Sequence, residues 1–297
     1  MVRTFCVAGQ LFTLLMKDDN PLWGCLRNYA PFECAPGPDM DVMFTLAVVD
    51  IPALRERTLV FDGYDEDPGM ARLAIYSTPE GLSIDMSVTQ NAPVCATLDL
   101  KPDFSFGEMC ITDDSFGRFP VDNALMLMYA FSGAPRGLLE MHASAVVNGG
   151  KAYLNLGVSG AGKSTHSRLW LENIPGSVLL NDDNPVVRVM PGTGEIIAYG
   201  TPWSGKTPCY RNESAPVASV VSIKKAPHNA IRPLDIFESY AMLYSSCSGL
   251  KFDPAMSDAL HESISAFAER VNAWELECLP DADAARTCYE AVANGKQ

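Results

Sequence analysis

The sequence predicts a mixed α/β (α+β) chain in which a β-rich N-terminal region, residues 1–118, precedes an α/β domain, residues 119–297, built around a phosphate-binding loop. Three observations predict it. The first hundred or so residues carry short alternating or β-branched runs, FTLAVVDI, RTLVFDG, ARLAIYST and GLSIDMSV, broken by clusters of Pro, Gly and Asp. From Pro120 onward, helix-forming segments alternate with apolar strand-like runs. Within this second part GVSGAGKST, residues 157–165, satisfies the pattern G-x-x-x-x-G-K-[ST], directly after a strand-like run and directly before a helical one.

Composition narrows the class before any motif is weighed. A chain of 297 residues has room for two domains, and 47% apolar with 20% charged residues is ordinary globular usage. The formal charge of -14 is spread without a basic stripe, which excludes a nucleic-acid backbone as the main partner. Nine cysteines, odd in number, scattered and without a CxxC pair, read as reduced thiols and not as a zinc site or a disulfide framework. Gly9 and Gln10 interrupt the opening apolar stretch, and no run approaches the roughly 20 apolar residues that cross a bilayer. The expectation is a cytoplasmic protein with no membrane partner.

Taken in order, the opening segment MVRTFCVAGQLFTLLMKDD reads as a strand pair, and turns are expected at residues 64–70 (YDEDPGM) and 78–81 (TPEG). VDNALMLMYAFSG has the composition of a buried helix, with Asp122 placed to cap its start and Gly133 to end it. MHASAVVN and KAYLNLGV are strands joined by Gly149-Gly150, a pair suited to a tight hairpin, and the second strand runs into the glycine-rich loop. KSTHSRLWLEN is helical, SVLLNDDN is a buried strand ending in two carboxylates, and PVVRVM with EIIAYG form a hairpin around Gly192 and Gly194. APVASVVSIKKA is another strand. Helices follow at 236–246, 255–271 and 282–293, with a short strand at WELECL before the last.

The loop carries the chemistry. Gly157, Gly160 and Gly162 let the backbone curl so that amides around Ser159, Gly160, Ala161, Gly162 and Lys163 point at phosphate oxygens, and the helix that follows presents its positive end to the same anion. Lys163 would neutralise charge on the β- and γ-phosphates, Ser164 would offer a hydroxyl to Mg2+, and Thr165 would reach the α-phosphate. Asp182 and Asp183 close the apolar strand SVLLN, and adjacent strand positions point different ways, so one carboxylate faces a metal and the other an acceptor hydroxyl. His142, opening the hairpin strand, and Lys206, in the turn-rich run GTPWSGKTPCYRN with Ser204, Tyr210 and Arg211, are further candidates for the phosphate site. His166, on the helix after the loop, is expected to pack.

In the order MHASAVV, GVSGAGKST, LLNDDNPVVRV, spanning residues 139–225, the chain resembles the kinase domain of HPr kinase/phosphorylase and, more distantly, the nucleotide-binding domain of ATP-dependent phosphoenolpyruvate carboxykinase. As a whole it looks most like a bacterial group of HPr kinase-related proteins. The resemblance implies a phosphoenolpyruvate carboxykinase-like P-loop domain with a mixed sheet and a hairpin before the loop. It also implies that His142 and Asp182 form an acid-base pair and that Asp183 lies near the metal. The glutamate-bearing stretch of HPr kinase is replaced here by IIAYGTPWSGK, and the arginine and metal-ligand set of decarboxylation is not recognisable.

The expectation is therefore a kinase that uses ATP or GTP with Mg2+ to phosphorylate a hydroxyl on a small molecule or protein. A nucleotide-sensing regulator and a carboxykinase-type lyase are the alternatives. The acceptor and the oligomeric state are not written in the sequence.

Overall fold

Ala8 and Gly9 both take positive φ, 49° and 75°, and fold the opening segment into a hairpin of β1 (Val2–Val7) and β2 (Gln10–Leu15). The computed structural model describes every residue except 36, 38–40, 53–54, 206 and 295–297. Contacts divide the chain into two units, Met1–Ser132 and Gly133–Gln297.

In the first unit β3 (Glu33–Cys34), β4 (Val42–Val49), β5 (Thr58–Asp62), β6 (Arg72–Thr78), β7 (Gly81–Ser87), β8 (Ala96–Leu100) and β9 (Phe106–Ile111) join the hairpin. They form a nine-stranded sheet of order β3-β1-β2-β4-β9-β8-β7-β6-β5. The central pairs β2·β4 and β4·β9 are parallel and the rest antiparallel, so this sheet is mixed. Helix α1 (Phe119–Gly133) packs on it. Tyr129 sits edge-on to Phe12 at 6.0 Å and donates its hydroxyl to the Val7 carbonyl at 2.9 Å. These contacts place the division at 132/133, where the sequence suggested 118/119. The helix starts three residues before Asp122, which therefore does not cap it. Asp122 instead accepts from Tyr29 Oη at 2.9 Å and Asn28 Nδ2 at 3.2 Å, tying α1 to the turn after β2.

The second unit starts with β10 (Leu138–Glu140), β11 (Ala143–Asn148) and β12 (Lys151–Leu156). Gly149 and Gly150, at φ 57° and 75°, make the tight turn between the last two. Helix α2 (Lys163–Asn173) follows, then β13 (Val178–Asp183), β14 (Val186–Val189), β15 (Ile196–Tyr199), β16 (Ser214–Lys225) and β17 (Ala230–Pro233). The chain continues through α3 (Ile236–Ser246), α4 (Pro254–Ala268), β18 (Asn272–Cys278) and α5 (Ala282–Asn294).

The long strand β16 organises the second sheet. Its first residues pair antiparallel with β15, and the remainder runs parallel between β12 and β18. The order β10-β14-β15-β16-β12-β11-β13, with β18 and β17 continuing from β16, makes a second mixed sheet. Helices α2 and α5 cover one face of it. Trp170 is 1% exposed there, with Tyr153 tilted against it at 4.9 Å and Tyr289 edge-on at 5.5 Å, amid Leu169, Val221, Leu276 and Cys288. Burying an indole of this size contributes on the order of 3 kcal/mol, which holds α2 and hence the loop before it against the sheet. The architecture is mixed α/β, compatible with α+β. Among the described residues, no helix is long and apolar enough to cross a membrane.

Candidate functional site

The glycine-rich loop leaves the end of β12 and turns into α2. Gly157, Gly160 and Gly162 adopt φ 143°, 73° and 111°, conformations that side-chain-bearing residues rarely take. A Cβ on Gly157 would lie 3.0 Å from both Ala161 Cβ and the Ile223 carbonyl, so glycine is required there by space as well as by angle. The turn is closed by Ala161 N–H donating to the Val158 carbonyl at 3.1 Å. Ser159, Gly160 and Ser164 are exposed, and Ala161, Gly162 and Thr165 half-buried.

Lys163 is 8% exposed and donates Nζ to the carbonyls of Gly157 at 2.9 Å and Val158 at 3.3 Å. Burial lowers its pKa, while the charges of Asp183 and Asp182 oppose that shift. The ammonium thus lies inside the loop and within the electrostatic reach of both acids.

Asp182 and Asp183 end β13 beside the start of β11, with Ser144 paired to Asp182 and Ala143 to Asp183. The two side chains diverge as strand alternation requires. Asp182, 4% exposed, accepts from Ser144 Oγ at 2.7 Å. Asp183 meets His142 Nδ1 at 3.2 Å, and both are partly exposed. The histidine of the expected acid-base pair is therefore partnered with Asp183 and not with Asp182. His142 lies one residue outside β11, where strand alternation no longer sets its direction and its amide donates to the Ser246 carbonyl instead.

Asn181, fully buried, fixes the end of the strand. Its Oδ1 accepts from the backbone amides of Asp183 and Asn184 at 2.9 Å, and its Nδ2 donates to Thr201 Oγ1 at 3.0 Å and to the Trp203 carbonyl at 3.1 Å. Thr201 and Trp203, near the start of the run GTPWSGKTPCYRN, are thereby fastened to the end of the strand that carries the carboxylate doublet. In this run Ser204 donates to the Thr207 carbonyl and Arg211 lies 3.6 Å from Glu213. Lys206, expected at the phosphates, lies outside the described residues.

Two cavities flank the loop. One, of about 200 Å³, is largely apolar and is walled by Gly162, Thr165, Leu169, Ile223, Leu279 and Pro280. His166 also lines it. Trp170 Nε1 donates to His166 Nε2 at 3.1 Å, and because an indole nitrogen only donates, the imidazole is neutral with its proton on Nδ1. That Nδ1 is buried without a partner, and burial lowers the pKa to about 4. The second cavity, of about 220 Å³, brings Ser164, Thr165, Ser167, Arg168, Asp182 and Thr207 together. A larger cleft of about 460 Å³ between the β14–β15 turn and α4 contains none of the expected site residues.

Sequence reading missed Glu140, Ser144, Asn155, Ser167 and Asn181: strand pairing aligns Ser144 and Asn155 with Asp182, while Ser167 on α2 and Asn181 on β13 show their part only through side-chain hydrogen bonds. Glu140 is 1% exposed, and neither carboxyl oxygen has a hydrogen-bond partner of good geometry. Burial raises its pKa to about 8; the Ser248 side chain opposes the shift and the Asp183 charge adds to it.

Ser164, Asp182 and Asp183 carry hard oxygens, the donors that Mg2+ takes; Ser164 shares a cavity with Asp182, and Asp183 faces His142. No protein-family model matches the chain, and no curated protein sequence matches it significantly.

Proposed function

We propose that the chain binds a nucleoside triphosphate, ATP or GTP, with Mg2+ on residues 157–165, and transfers the γ-phosphoryl group to a hydroxyl of a small molecule or protein. The reading makes the second unit a phosphoenolpyruvate carboxykinase-like P-loop domain of the HPr kinase type. One observation carries it: a loop with three glycines at φ 143°, 73° and 111° opens onto a helix start, with a buried lysine inside it and two aspartates within that lysine's field. The mixed sheet and the hairpin feeding the loop support the same reading.

In this mechanism the amides of the loop and the start of α2 hold the phosphates. Lys163 leaves the Gly157 and Val158 carbonyls for the β- and γ-phosphate oxygens. Ser164 and Asp183 would hold Mg2+, which supplies charge neutralisation at the phosphates. His142 orients Asp183 through the 3.2 Å contact. An acceptor hydroxyl oxygen forms a bond to the γ-phosphorus while the bond to the β–γ bridging oxygen breaks, and Asp182 takes the hydroxyl proton. The nucleoside diphosphate departs. The apolar cavity beside Gly162 and Leu169 receives the base.

The test is calorimetric titration with Mg·ATP and Mg·GTP, together with Mg2+-dependent release of nucleoside diphosphate. Wild type should bind one of the two and release diphosphate slowly to water. Lys163→Ala should abolish binding, and Asp182→Asn should keep binding while losing turnover. Unchanged affinity in Lys163→Ala overturns the nucleotide assignment. Intact binding with no turnover in wild type replaces the kinase with a nucleotide-sensing regulator.

A further inference from the structure

Three adjacent strands place a buried polar row across the sheet. Asn155 on β12 pairs with Ser144 on β11, and Ser144 pairs with Asp182 on β13. Ser167, one helical turn beyond Ser164 on α2, completes the group. Asn155, Ser144 and Ser167 are each 1% exposed. Asn155 Nδ2 donates to Ser167 Oγ at 2.9 Å, the Ser167 and Ser144 hydroxyls are 2.6 Å apart, and Ser144 Oγ donates to Asp182 Oδ1 at 2.7 Å.

The direction of this chain follows from the chemistry of its ends. A carboxylate only accepts, so the Ser144 proton points to Asp182, and the 2.6 Å contact must then carry the Ser167 proton towards Ser144. Ser167 has no second proton and must accept from Asn155. Turning the Asn155 amide over would direct its oxygen at Ser167 and leave the hydroxyl pair without a bridging proton. The observed orientation is kept although it strands Asn155 Oδ1 in the interior without a partner. A buried acceptor without a partner is costly, and an apolar row would pack here without that cost.

We propose that Asn155, Ser167 and Ser144 form a one-way hydrogen-bond relay that positions Asp182 for phosphoryl transfer by locking its side chain to the helix that starts at the phosphate loop. The proposal rests on the kinase reading above. One carboxylate oxygen is engaged by the relay, and the residue lines the cavity that also holds Ser164. Loop and base thereby move as one piece, because Ser167 and the phosphate-facing Lys163 and Ser164 belong to the same first turns of α2. These three are positioning residues, which act on the reaction through Asp182.

The experiment measures Mg·nucleotide affinity and diphosphate release for Ser144→Ala, Ser167→Ala, the double variant and Ser144→Thr, each checked for folding by circular dichroism. Misplacing a reacting group by about 1 Å costs roughly 10²-fold in rate. Each alanine variant should therefore lose about 10²-fold in turnover with affinity within about twofold of wild type. The double variant should lose no more than either single, as links of one chain do. Ser144→Thr, which keeps the hydroxyl, should restore most of the rate. If Ser144→Ala does not fold, Ser167→Ala alone carries the same expectation. Wild-type turnover with full activity in the alanine variants refutes the relay and leaves the kinase reading standing. Parallel loss of affinity and rate, or additive losses in the double variant, shows a structural role only and also refutes it. Absence of turnover in wild type removes the kinase reading, and the relay falls with it.

Discussion

Glu140 provides a stability test independent of any ligand. Its carboxyl lies inside the second unit without a hydrogen bond of good geometry, and burial raises its pKa from the ordinary 4.5 to about 8. The folded state therefore holds this proton more tightly than the unfolded chain. The sign follows: the full stability is present below pH 4.5 and is lost as pH rises through about 8. At about 1.36 kcal/mol per pH unit, the gap between 4.5 and about 8 amounts to about 5 kcal/mol, of which about 3.5 kcal/mol falls between pH 5 and pH 8. Glu140→Gln does not titrate and should be free of this loss. The assay is urea unfolding of wild type and variant at pH 5 and pH 8, read as the difference between the two proteins, so that the other titrating groups cancel. Wild type should lose about 3 kcal/mol more than the variant over this range. Equal pH dependence in the two proteins would refute the claim that burial keeps Glu140 protonated in the folded state.

His166 predicts the opposite slope. Its pKa is lowered to about 4 by burial, so its contribution is present above pH 6.5 and is lost as pH falls towards 4; His166→Gln should flatten the acid limb of the stability curve by about 3 kcal/mol. Gly157→Ala forces a Cβ to 3.0 Å from the Ile223 carbonyl at φ 143°, and should cost about 1–3 kcal/mol of stability and weaken nucleotide binding at least tenfold by calorimetry. Trp170→Ala removes the indole between Tyr153 and Tyr289 and should destabilise the second unit by about 3–5 kcal/mol in thermal unfolding. Asp183→Asn should raise the Mg2+ concentration needed for half-maximal turnover without abolishing nucleotide binding, measured by a Mg2+ titration at saturating nucleotide.

Much of the second unit was legible in the sequence because its signals are local. The Gly149-Gly150 hairpin, the loop at 157–165, the strand ending in the aspartate doublet and the helix at 236–246 depend on neighbouring residues, and each forms as read. The short strands β3, β10 and β17 were invisible because two to four residues carry no periodicity and, unlike β14 and β15, no glycine turn joins them to a partner in a hairpin. β8 and β9 were passed over for a related reason: ATLDL and FGEMCI are brief and interrupted by acids or glycine. Asp122 misled because it has the composition of a cap, yet its carboxylate is used across the unit by Tyr29 and Asn28. The site divides in the same way. Loop residues announce themselves by spacing, whereas the Ser144, Asn155 and Asp182 row exists only through the registers of β11 with β12 and β13. The partner of His142 was likewise not legible, because the residue lies just outside β11, where strand alternation does not set its direction.

The proposed chemistry depends on where a nucleotide sits. A crystal structure with Mg2+ and the non-hydrolysable analogue adenylyl imidodiphosphate, or its guanylyl counterpart, tests this most directly. The β-phosphate is expected to be cradled by the amides of residues 159–163, with Lys163 Nζ withdrawn from the Gly157 and Val158 carbonyls onto phosphate oxygen and with Asp182 beside the terminal phosphate. Phosphates bound elsewhere, or a loop in which Lys163 keeps its present contacts while the nucleotide is bound, would contradict it.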